Sequence, residues 1–212
     1  KVTLRFADSS VISETIRLTA RGEFRRKNCF LPTLKLDFKN AAAPKLSTLK
    51  KLKLVCGCDK GSQFEQLVLK EYLVYKIYNL LTDMSFRVRL LYVNYQDTKE
   101  KIKSFSQYGF LIEDVDDMAK RNKCFEVDKP AFNTEKTDRQ QMTLVSIFQY
   151  MIGNTDWAVP NYHNIKLMRT VTDSFSFPYV VPYDFDFCGI VDAKYATPQE
   201  ELGTSSVKER VY

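Results

Sequence analysis

The sequence is poor in the residue types that most metal sites require. Among its 212 residues are one histidine, His163, one tryptophan and five cysteines. Cys56 and Cys58 have no second cysteine pair at ligand spacing, so the sequence does not predict a zinc-thiolate site. The odd number of cysteines argues against a complete disulfide framework and leaves one or two bridges open.

Long apolar runs are also missing. The richest stretch, residues 67–81, is interrupted by Lys70, Glu71 and Lys76, whereas a membrane helix needs about 20 apolar residues. We therefore expect no membrane-spanning segment. With 44% hydrophobic and 27% charged residues, a chain of this length should fold as one domain or two small lobes, which excludes a disordered chain and a miniprotein.

The net charge of +6 is distributed unevenly along the chain. Residues 1–60 contain 14 Lys+Arg and 5 Asp+Glu, whereas residues 61–212 contain 18 and 21. A basic first quarter is typical of a surface for phosphate, nucleic acid or an acidic protein, but it is equally typical of a solvated face of alternating strands. The charge alone leaves both interpretations open.

Hydrophobic periodicity predicts an antiparallel meander followed by a long helix in the first half. Apolar residues alternate in residues 16–20, 34–38 and 52–54, as in half-buried strands. The segment 20–27, with one glycine and four cations, predicts a turn. Three- and four-residue spacing predicts a helix over residues 63–82, with Ser62 as its N-cap and Glu65 completing a capping box.

The remaining sequence predicts a hairpin, a linker, a helix and two further strands. Residues 86–95 and 108–113 should form the hairpin, with a long tip. Residues 114–138 are polar and poorly periodic, with one proline at Pro130, as in a linker. Residues 143–153 predict a helix that ends at Gly153. Two short strands should follow, at residues 164–168 and 178–182, and the last fourteen residues show no clear pattern.

Two acidic motifs lie in the second half. The loop from Ile152 to Asn164 leaves the second helix, enters a strand, and carries Asp156 and, five residues later, Asn161. The second motif follows the next strand and places Asp184 and Asp186 one residue apart among aromatic residues. Carboxylates in such apolar surroundings require a partner or a metal if they are buried.

This order of residues favours phosphoryl transfer. Protein kinases carry an Asp and an Asn on the catalytic loop and a second, metal-binding Asp further along. The chemistry needs hard oxygen ligands for Mg²⁺ and a carboxylate near the attacking hydroxyl. The structural alternative is that Asp156 caps a turn, Asn161 lies in a loop, and the Asp-x-Asp segment faces water. Both motifs together, joined by a hairpin, favour the phosphotransferase.

A longer series of motifs runs in order through residues 16–190. Its segments are Arg21-Gly22, Leu34-Lys35-Leu36-Asp37-Phe38, Leu69-Lys70-Glu71, Tyr92-Val93-Asn94, Gly109-Phe110-Leu111-Ile112-Glu113-Asp114, Asp156 to Tyr162, and Pro182-Tyr183-Asp184-Phe185-Asp186. The series is more specific than any one motif, and it resembles the CotH family of secreted and spore-coat-associated atypical protein kinases.

The resemblance implies a role for each candidate residue. Asp156 would be the catalytic base, and Asn161 with Asp184 or Asp186 would bind Mg²⁺. Lys35 and Arg21 would contact the ATP phosphates. Glu71 would orient the lysine from the long helix, and the strand ending at Glu113 would pass the adenine.

The resemblance also implies a two-lobed, protein-kinase-like α+β architecture. Residues 1–114 would form an N-terminal lobe of antiparallel sheet and long helix, and residues 115–212 a smaller C-terminal lobe with a helix and the metal-site hairpin. The expected activity is transfer of the ATP γ-phosphoryl group to Ser or Thr of a protein substrate with Mg²⁺. A secreted or cell-surface location is implied by the family alone.

Two other functions remain open. The chain could be a non-catalytic kinase-like scaffold or coat interaction module, since it has no glycine-rich phosphate loop. Residues 1–60 could instead bind nucleic acid, with Phe24 stacking on bases beside Arg25, Arg26 and Lys27. Nucleic acid is the less favoured partner, because the basic character does not extend through the chain. His163 could be catalytic or packed, and Trp157 could stack on a ligand or fill the core.

Overall fold

The computed structural model describes residues 1–6, 8–127 and 131–210, without the side chains of Glu23 and Phe24. The described chain is mixed α+β with antiparallel sheets, as predicted, and contains five α-helices. It divides into two compact units. Unit 1 comprises Lys1–Glu65 and Arg89–Asp114, and unit 2 comprises Gln66–Val88 and Val115–Tyr212. The chain passes from unit 1 to unit 2 after Asp114, and most of the long helix groups with unit 2.

Unit 1 is built on a sheet of five strands in the order β3-β4-β5-β7-β6, and β1 and β2 form a separate hairpin. The helix α3 begins in unit 1 and continues in unit 2, and the first residue of β6 belongs to unit 2. The elements up to residue 112 are β1 (Val2–Arg5), β2 (Val11–Glu14), β3 (Arg17–Arg21), α1 (Glu23–Asn28), β4 (Thr33–Asp37), α2 (Pro44–Ser47), β5 (Lys51–Cys56), α3 (Ser62–Leu81), β6 (Val88–Tyr95) and β7 (Phe105–Ile112).

The register of the sheet in unit 1 separates an apolar face from a charged one. Leu36 pairs with Leu52 and Leu34 with Leu54, and these side chains join a buried core that includes Phe38. Since successive side chains of a strand alternate between faces, the residues between them project from the opposite face. Lys35, for example, pairs with Lys53 there. The predicted meander and the hairpin of β6 and β7 are therefore confirmed.

Cys29 and Cys58 form a disulfide in unit 1, so one of the bridges that the sequence left open is present. The bridge joins the segment after α1 to the segment after β5. The other cysteines, Cys56, Cys124 and Cys188, are buried free thiols. Burial raises the pKa of the Cys188 thiol to about 11, so this thiol is protonated near neutral pH and unreactive.

Replacing both Cys29 and Cys58 by Ser should lower the free energy of unfolding by about 3 to 4 kcal/mol, because the bridge closes a loop of roughly 30 residues in the unfolded chain. Urea unfolding with and without dithiothreitol measures this effect. The reductant should destabilise the native sequence and leave the double variant unchanged. A native sequence that is insensitive to the reductant under unfolding conditions would contradict the prediction.

Unit 2 combines the greater part of α3 with a second helix and a three-stranded sheet of order β10-β9-β8. Its remaining elements are α4 (Val115–Arg121), β8 (Cys124–Glu126), a 3-10 turn (Thr134–Lys136), α5 (Arg139–Ile152), β9 (Ile165–Thr170), β10 (Tyr179–Pro182) and a second 3-10 turn (Glu200–Leu202). The strands β9 and β10 pair antiparallel from Ile165↔Pro182 to Met168↔Tyr179, which confirms the predicted pair of short strands.

An aromatic cluster forms the core of unit 2. Tyr75 and Tyr78 of α3 meet Phe185 and Phe148, with ring centroids 4.7 Å apart for Tyr75–Phe185 and 4.6 Å for Tyr78–Phe148. The buried Tyr78 hydroxyl is satisfied, since Gln141 donates through Nε2 to it at 3.0 Å and to the carbonyl of Val180 at 3.2 Å. The cluster fixes α3 and α5 against the segment that carries the Asp-x-Asp motif.

The helix α5 begins earlier than predicted and ends where predicted. Asp138 caps its first turn, because its carboxylate accepts a hydrogen bond from the Gln141 amide at 2.8 Å. Gly153 ends the helix in the left-handed conformation, at φ 66°. A Cβ at position 153 would also lie 2.8 Å from the carbonyl oxygen of Val207, so both conformation and space require glycine there.

Three local predictions differ from the structure. The predicted turn at 20–27 contains the short helix α1, and its Arg25 donates to the carbonyl of Cys56 at 2.6 Å. The capping box is not formed, because the Glu65 carboxylate accepts from the Tyr108 amide at 2.8 Å. The predicted linker 114–138 contains α4, β8 and a 3-10 turn, because elements this short leave little periodicity; Pro130 lies outside the described residues.

In the described ranges, no helix has both the length and the apolar character that crossing a bilayer requires.

Candidate functional site

The loop that carries Asp156 joins α5 to β9 and is held by its own hydrogen bonds. Asn154 is buried and donates through Nδ2 to the side-chain oxygen of Gln149 at 3.0 Å. Its own side-chain oxygen accepts from the Asp156 amide at 3.1 Å. Ala158 and His163 exchange backbone hydrogen bonds at 3.0 and 2.9 Å. These contacts fix the position of Asp156 relative to the end of α5.

The carboxylate of Asp156 is bound on both oxygens. Its Oδ1 lies 2.7 Å from Nε2 of His163. Its Oδ2 accepts from Nδ2 of Asn164 at 2.9 Å, and the same nitrogen donates to the backbone oxygen of Asp156 at 2.8 Å. The carboxylate is about one-third exposed, at 31%, so it is both oriented and accessible. His163, which the sequence leaves open between packing and catalysis, is half-exposed and contacts the candidate base directly.

The structure assigns the two asparagines of this loop to different positions. Asn161, the predicted metal ligand, is exposed, and its side-chain oxygen accepts from the backbone amide of His163 at 3.3 Å. Asn164 instead clamps Asp156. It has a left-handed backbone, at φ 50°, which asparagine tolerates better than most residues. The asparagine five residues after Asp156, Asn161, is therefore a turn residue. The asparagine whose side chain binds the Asp156 carboxylate is Asn164, which lies eight residues after Asp156.

The Asp-x-Asp motif begins beside Asn164. The Tyr183 amide donates to the carbonyl of Asn164 at 3.0 Å, which extends the β9–β10 pairing by one step beyond Pro182. Asp184 follows directly and has a left-handed backbone, at φ 63°. Its amide donates to the hydroxyl of Tyr75 at 2.8 Å. Asn164 and Asp184 therefore lie at the same end of the β9–β10 hairpin.

The two acids of this motif have different surroundings. Phe185 between them is fully buried in the aromatic cluster. Asp184 is exposed, whereas Asp186 is half-buried and accepts through Oδ2 from the Tyr195 hydroxyl at 2.8 Å. The buried phenylalanine thus anchors the segment and leaves Asp184 as the accessible carboxylate.

Further hydrogen bonds join the end of α5 to the segment that follows Asp186. The Gly189 amide donates to the carbonyl of Gly153 at 2.9 Å, and the Ile190 amide donates to that of Ile152 at 3.1 Å. A Cβ at position 189 would collide with the carbonyl oxygen of Val207. The end of α5 and the segment after Asp186 are therefore joined by backbone contacts that only glycine permits at this point.

Glu71 of α3 belongs to the same acidic neighbourhood of unit 2. Its side chain is buried, with 3% of the residue exposed. Burial raises the pKa of the Tyr75 phenol, and the negative charges of Glu71, Asp184 and Asp186 raise it further. The helix carboxylate and both acids of the Asp-x-Asp motif therefore lie within electrostatic range of one buried phenol.

The other candidate residues lie in unit 1. Lys35 is exposed on β4, Arg21 is half-buried at the end of β3, and Glu113 is half-buried directly after β7. The register places Lys35 beside Lys53 of β5, the third strand of the five-stranded sheet. Lys53 is not among the candidate residues that the sequence predicts. Lys53 is more buried than Lys35. Lys35 and Lys53 each lie between two leucines, in β4 and β5, so the local sequence pattern does not distinguish one lysine from the other.

The candidate oxygen donors at this end of the β9–β10 hairpin suit a hard cation better than a zinc-type ion. Asn164 uses its amide nitrogen for Asp156, so its Oδ1 is a neutral oxygen donor, and Asp184 supplies a carboxylate at the same end of the hairpin. Across the part of the chain that the structure describes, no three His, Cys, Asp or Glu side chains converge on a metal position. Mg²⁺ is commonly held by one or two carboxylates with waters and substrate phosphates, so the residues present fit that ion.

Comparison with known proteins finds no matching family model, no similar curated protein and no similar solved structure.

Proposed function

We propose that the protein is a Mg²⁺-dependent, kinase-like phosphotransferase that moves the γ-phosphoryl group of ATP to a Ser or Thr hydroxyl of a protein, as the resemblance to CotH kinases implies. One observation supports this most strongly. The hydrogen-bonded pair of Asp156 and Asn164 lies at the same end of the β9–β10 hairpin as Asp184. A base, an amide and a carboxylate in this order are the protein groups that phosphoryl transfer requires.

Asp156 has the features of the base. Hydrogen bonds from Asn164 and contact with His163 orient its carboxylate. Its partial exposure lets a hydroxyl approach. In the proposed reaction Asp156 accepts the proton of the attacking hydroxyl, and its fixed orientation avoids reorganisation during the step.

Asp184 and Asn164 would hold Mg²⁺ through one carboxylate and one amide oxygen. When bound, the ion neutralises charge on the phosphates being transferred. Asp186 is assigned a supporting role, because Tyr195 already donates to one of its oxygens. This assignment replaces Asn161 by Asn164 as the amide ligand and prefers Asp184 to Asp186 as the carboxylate.

We assign the role of the phosphate-binding lysine to Lys53 in preference to Lys35. Protein kinases carry the phosphate-binding lysine on the third strand of the sheet and pair it with a glutamate of the following helix. In this chain β5 is the third strand of the sheet, Lys53 lies on it, and α3 with the buried Glu71 comes next. The two-lobed kinase-like architecture and the adenine contact near Glu113 are part of the same proposal.

One observation favours the scaffold as a second candidate. Gly22 follows β3 with φ 74° and precedes α1, so the next residues form a helix instead of an open glycine-rich loop. Backbone amides of such a loop cradle phosphates in many nucleotide enzymes. A scaffold that uses its acids only for structure would show no change in thermal stability with Mg·ATP, whereas a binding protein is stabilised by its ligand.

Mg²⁺-dependent nucleotide binding tests the metal assignment. In calorimetric titrations with a non-hydrolysable ATP analogue, Mg²⁺ should increase the affinity of the native chain. The Asp184→Asn and Asn164→Ala variants should weaken Mg²⁺-dependent binding by about 10- to 100-fold.

Asn161→Ala is the matched control for the same experiment and should bind like the native chain, because its side chain contacts only the turn. Equal losses for Asn164→Ala and Asn161→Ala would contradict the assignment of the amide ligand. Absence of Mg²⁺-dependent binding in the native chain would contradict the proposed function.

A further inference from the structure

One side of the helices α3 and α5 exposes large apolar side chains in unit 2. From Leu67 to Leu81, apolar residues point in every direction around α3, a pattern typical of a helix that is covered on all sides. Part of this helix nevertheless faces solvent, and α5 carries a second exposed apolar stripe. The two stripes define the helix-pair face: Leu73, Ile77, Leu80 and Leu81 of α3, with Ile147 and Met151 of α5.

The helices α3 and α5 run antiparallel within unit 2. Near the end of α3, the hydroxyl of Tyr78 accepts from Gln141, which lies in the first turn of α5. Earlier in α3, Lys70 donates to the carbonyl of Val191 at 3.2 Å. The backbone amide of the residue before Val191 donates to the carbonyl of Ile152, the last residue of α5. The earlier part of α3 therefore lies near the end of α5, and the later part near its start.

The two stripes lie on the same side of this helix pair. Tyr78 and Phe148 pack against each other where the helices meet, with ring centroids 4.6 Å apart. Ile77 directly precedes the tyrosine and Ile147 directly precedes the phenylalanine, so each isoleucine is turned by about 100° from the contact in the same sense. In antiparallel helices, equal turns lead to the same side. The other four residues follow at three- and four-residue spacing from these isoleucines, so they extend one continuous face.

The helix-pair face is large for a protein that acts as a single chain. Its six residues are between 37% and 85% exposed. Together they expose roughly 600 Å², the upper end of the range for the largest apolar patch on a typical monomer. A stable interface buries about 800 Å² per partner. The face therefore supplies the apolar centre of an interface, and the polar side chains around it would form the rim.

The face carries very little charge, which favours a second copy of the chain as its partner. Residues 72–82 and 140–151 contain one charged residue, Lys76, although 27% of the whole chain is charged. Identical patches meet in a twofold-symmetric contact, so a charged patch would meet its own charge. A strongly acidic or basic partner would find at most one counter-charge here. Depletion of charge and enrichment of methionine are also features of the centre of protein interfaces.

We infer that the helix-pair face binds the same face of a second copy of the chain, in a twofold-symmetric dimer. The contact brings α3 and α5 of both copies together as four helices, and packing between helices buries apolar stripes of this kind. It covers Leu80, the most exposed residue of the face, and Ile147. The inference goes beyond the proposed function, because the contact depends on neither metal nor nucleotide.

Sedimentation equilibrium of the full chain between about 1 and 100 µM tests the inference. The native chain should approach twice its mass of 24.7 kDa as the concentration rises. Because the contact is apolar, raising NaCl from about 50 to 500 mM should not weaken the dimer. Leu80→Ala should weaken dimerisation by about tenfold or more. Leu80→Glu combined with Ile147→Glu should leave the chain monomeric, since burying four unpaired carboxylates is costly.

Phe175→Glu is the matched control, because it places the same charge at an exposed apolar residue of unit 2 outside the face. This variant should dimerise like the native chain. Circular dichroism should show the native helix content in every variant, because Leu80 and Ile147 are exposed. If the double variant loses helix content, Leu80→Ala alone decides the test.

A native chain that remains monomeric over the whole concentration range would overturn the inference. Equal weakening by Leu80→Ala and Phe175→Glu would also overturn it, and so would growth beyond a dimer, which an open contact produces. The remaining alternative is a lipid surface. Binding of the monomer to phosphatidylcholine vesicles, abolished by Leu80→Glu, would show that lipid covers the face and would exclude the dimer.

Discussion

Replacing Asp156 by Asn should lower kcat for phosphoryl transfer by about 10²- to 10⁴-fold, because the variant keeps the shape of the side chain but loses the proton acceptor. The amide can still accept a hydrogen bond from Asn164, so the loop should keep its conformation. Transfer of the labelled γ-phosphoryl group to a Ser/Thr-containing protein, followed at saturating Mg·ATP, measures the effect.

Asp173→Asn is a suitable control for that experiment. Asp173 lies in the connection between β9 and β10, where its Oδ1 accepts from the Phe175 amide at 2.9 Å, and an Asn oxygen can accept the same bond. This variant should keep the native kcat. A native kcat in Asp156→Asn would contradict the assignment of the base, provided that both variants unfold at the same urea concentration as the native chain.

Replacing Phe185 by Ala should lower the free energy of unfolding by about 3 to 5 kcal/mol, since it empties a fully buried aromatic position. The lost contacts include the edge-to-face packing with Tyr75, at 4.7 Å between centroids, and with Phe148, at 5.8 Å. Urea unfolding followed by circular dichroism measures the loss.

Phe175 provides the matched control, because the same substitution removes a phenylalanine that is 95% exposed. Phe175→Ala should change the free energy of unfolding by no more than about 0.5 kcal/mol. Similar losses in the two variants would contradict the anchoring role of Phe185. Because Phe185 fixes the backbone between the two acids, Phe185→Ala should also weaken Mg²⁺-dependent binding where it remains folded.

Periodicity predicted the longer elements because their burial patterns repeat. The alternation in β3, β4 and β5 and the three- and four-residue spacing in α3 each extend over enough residues to identify the element. The helices α1 and α4 have six and seven residues, which is too few turns for a clear pattern. The start of α3 was predicted to within one residue, but the capping role of Glu65 was wrong, because the partner of its carboxylate, Tyr108, lies far away in sequence.

The sequence places the candidate acids and asparagines on two loops, but it does not show which of these side chains contact each other. The choice between Asn161 and Asn164 depends on which side chain folds back to Asp156. Likewise, Lys35 and Lys53 differ in strand position and burial, and neither property is visible in a local pattern. Spacing alone could not resolve either pair, because both choices depend on tertiary contacts.

The backbone bonds from Gly189 and Ile190 to Gly153 and Ile152 have a dynamic consequence. Segments joined in this way open and close as one cooperative unit, with a single free energy of local unfolding. The loop of Asp156 and the segment of Asp184 should therefore lose their structure together. A fluctuation that releases Asp184 would also displace Asp156, so forms in which only one of the two segments is ordered should be rare.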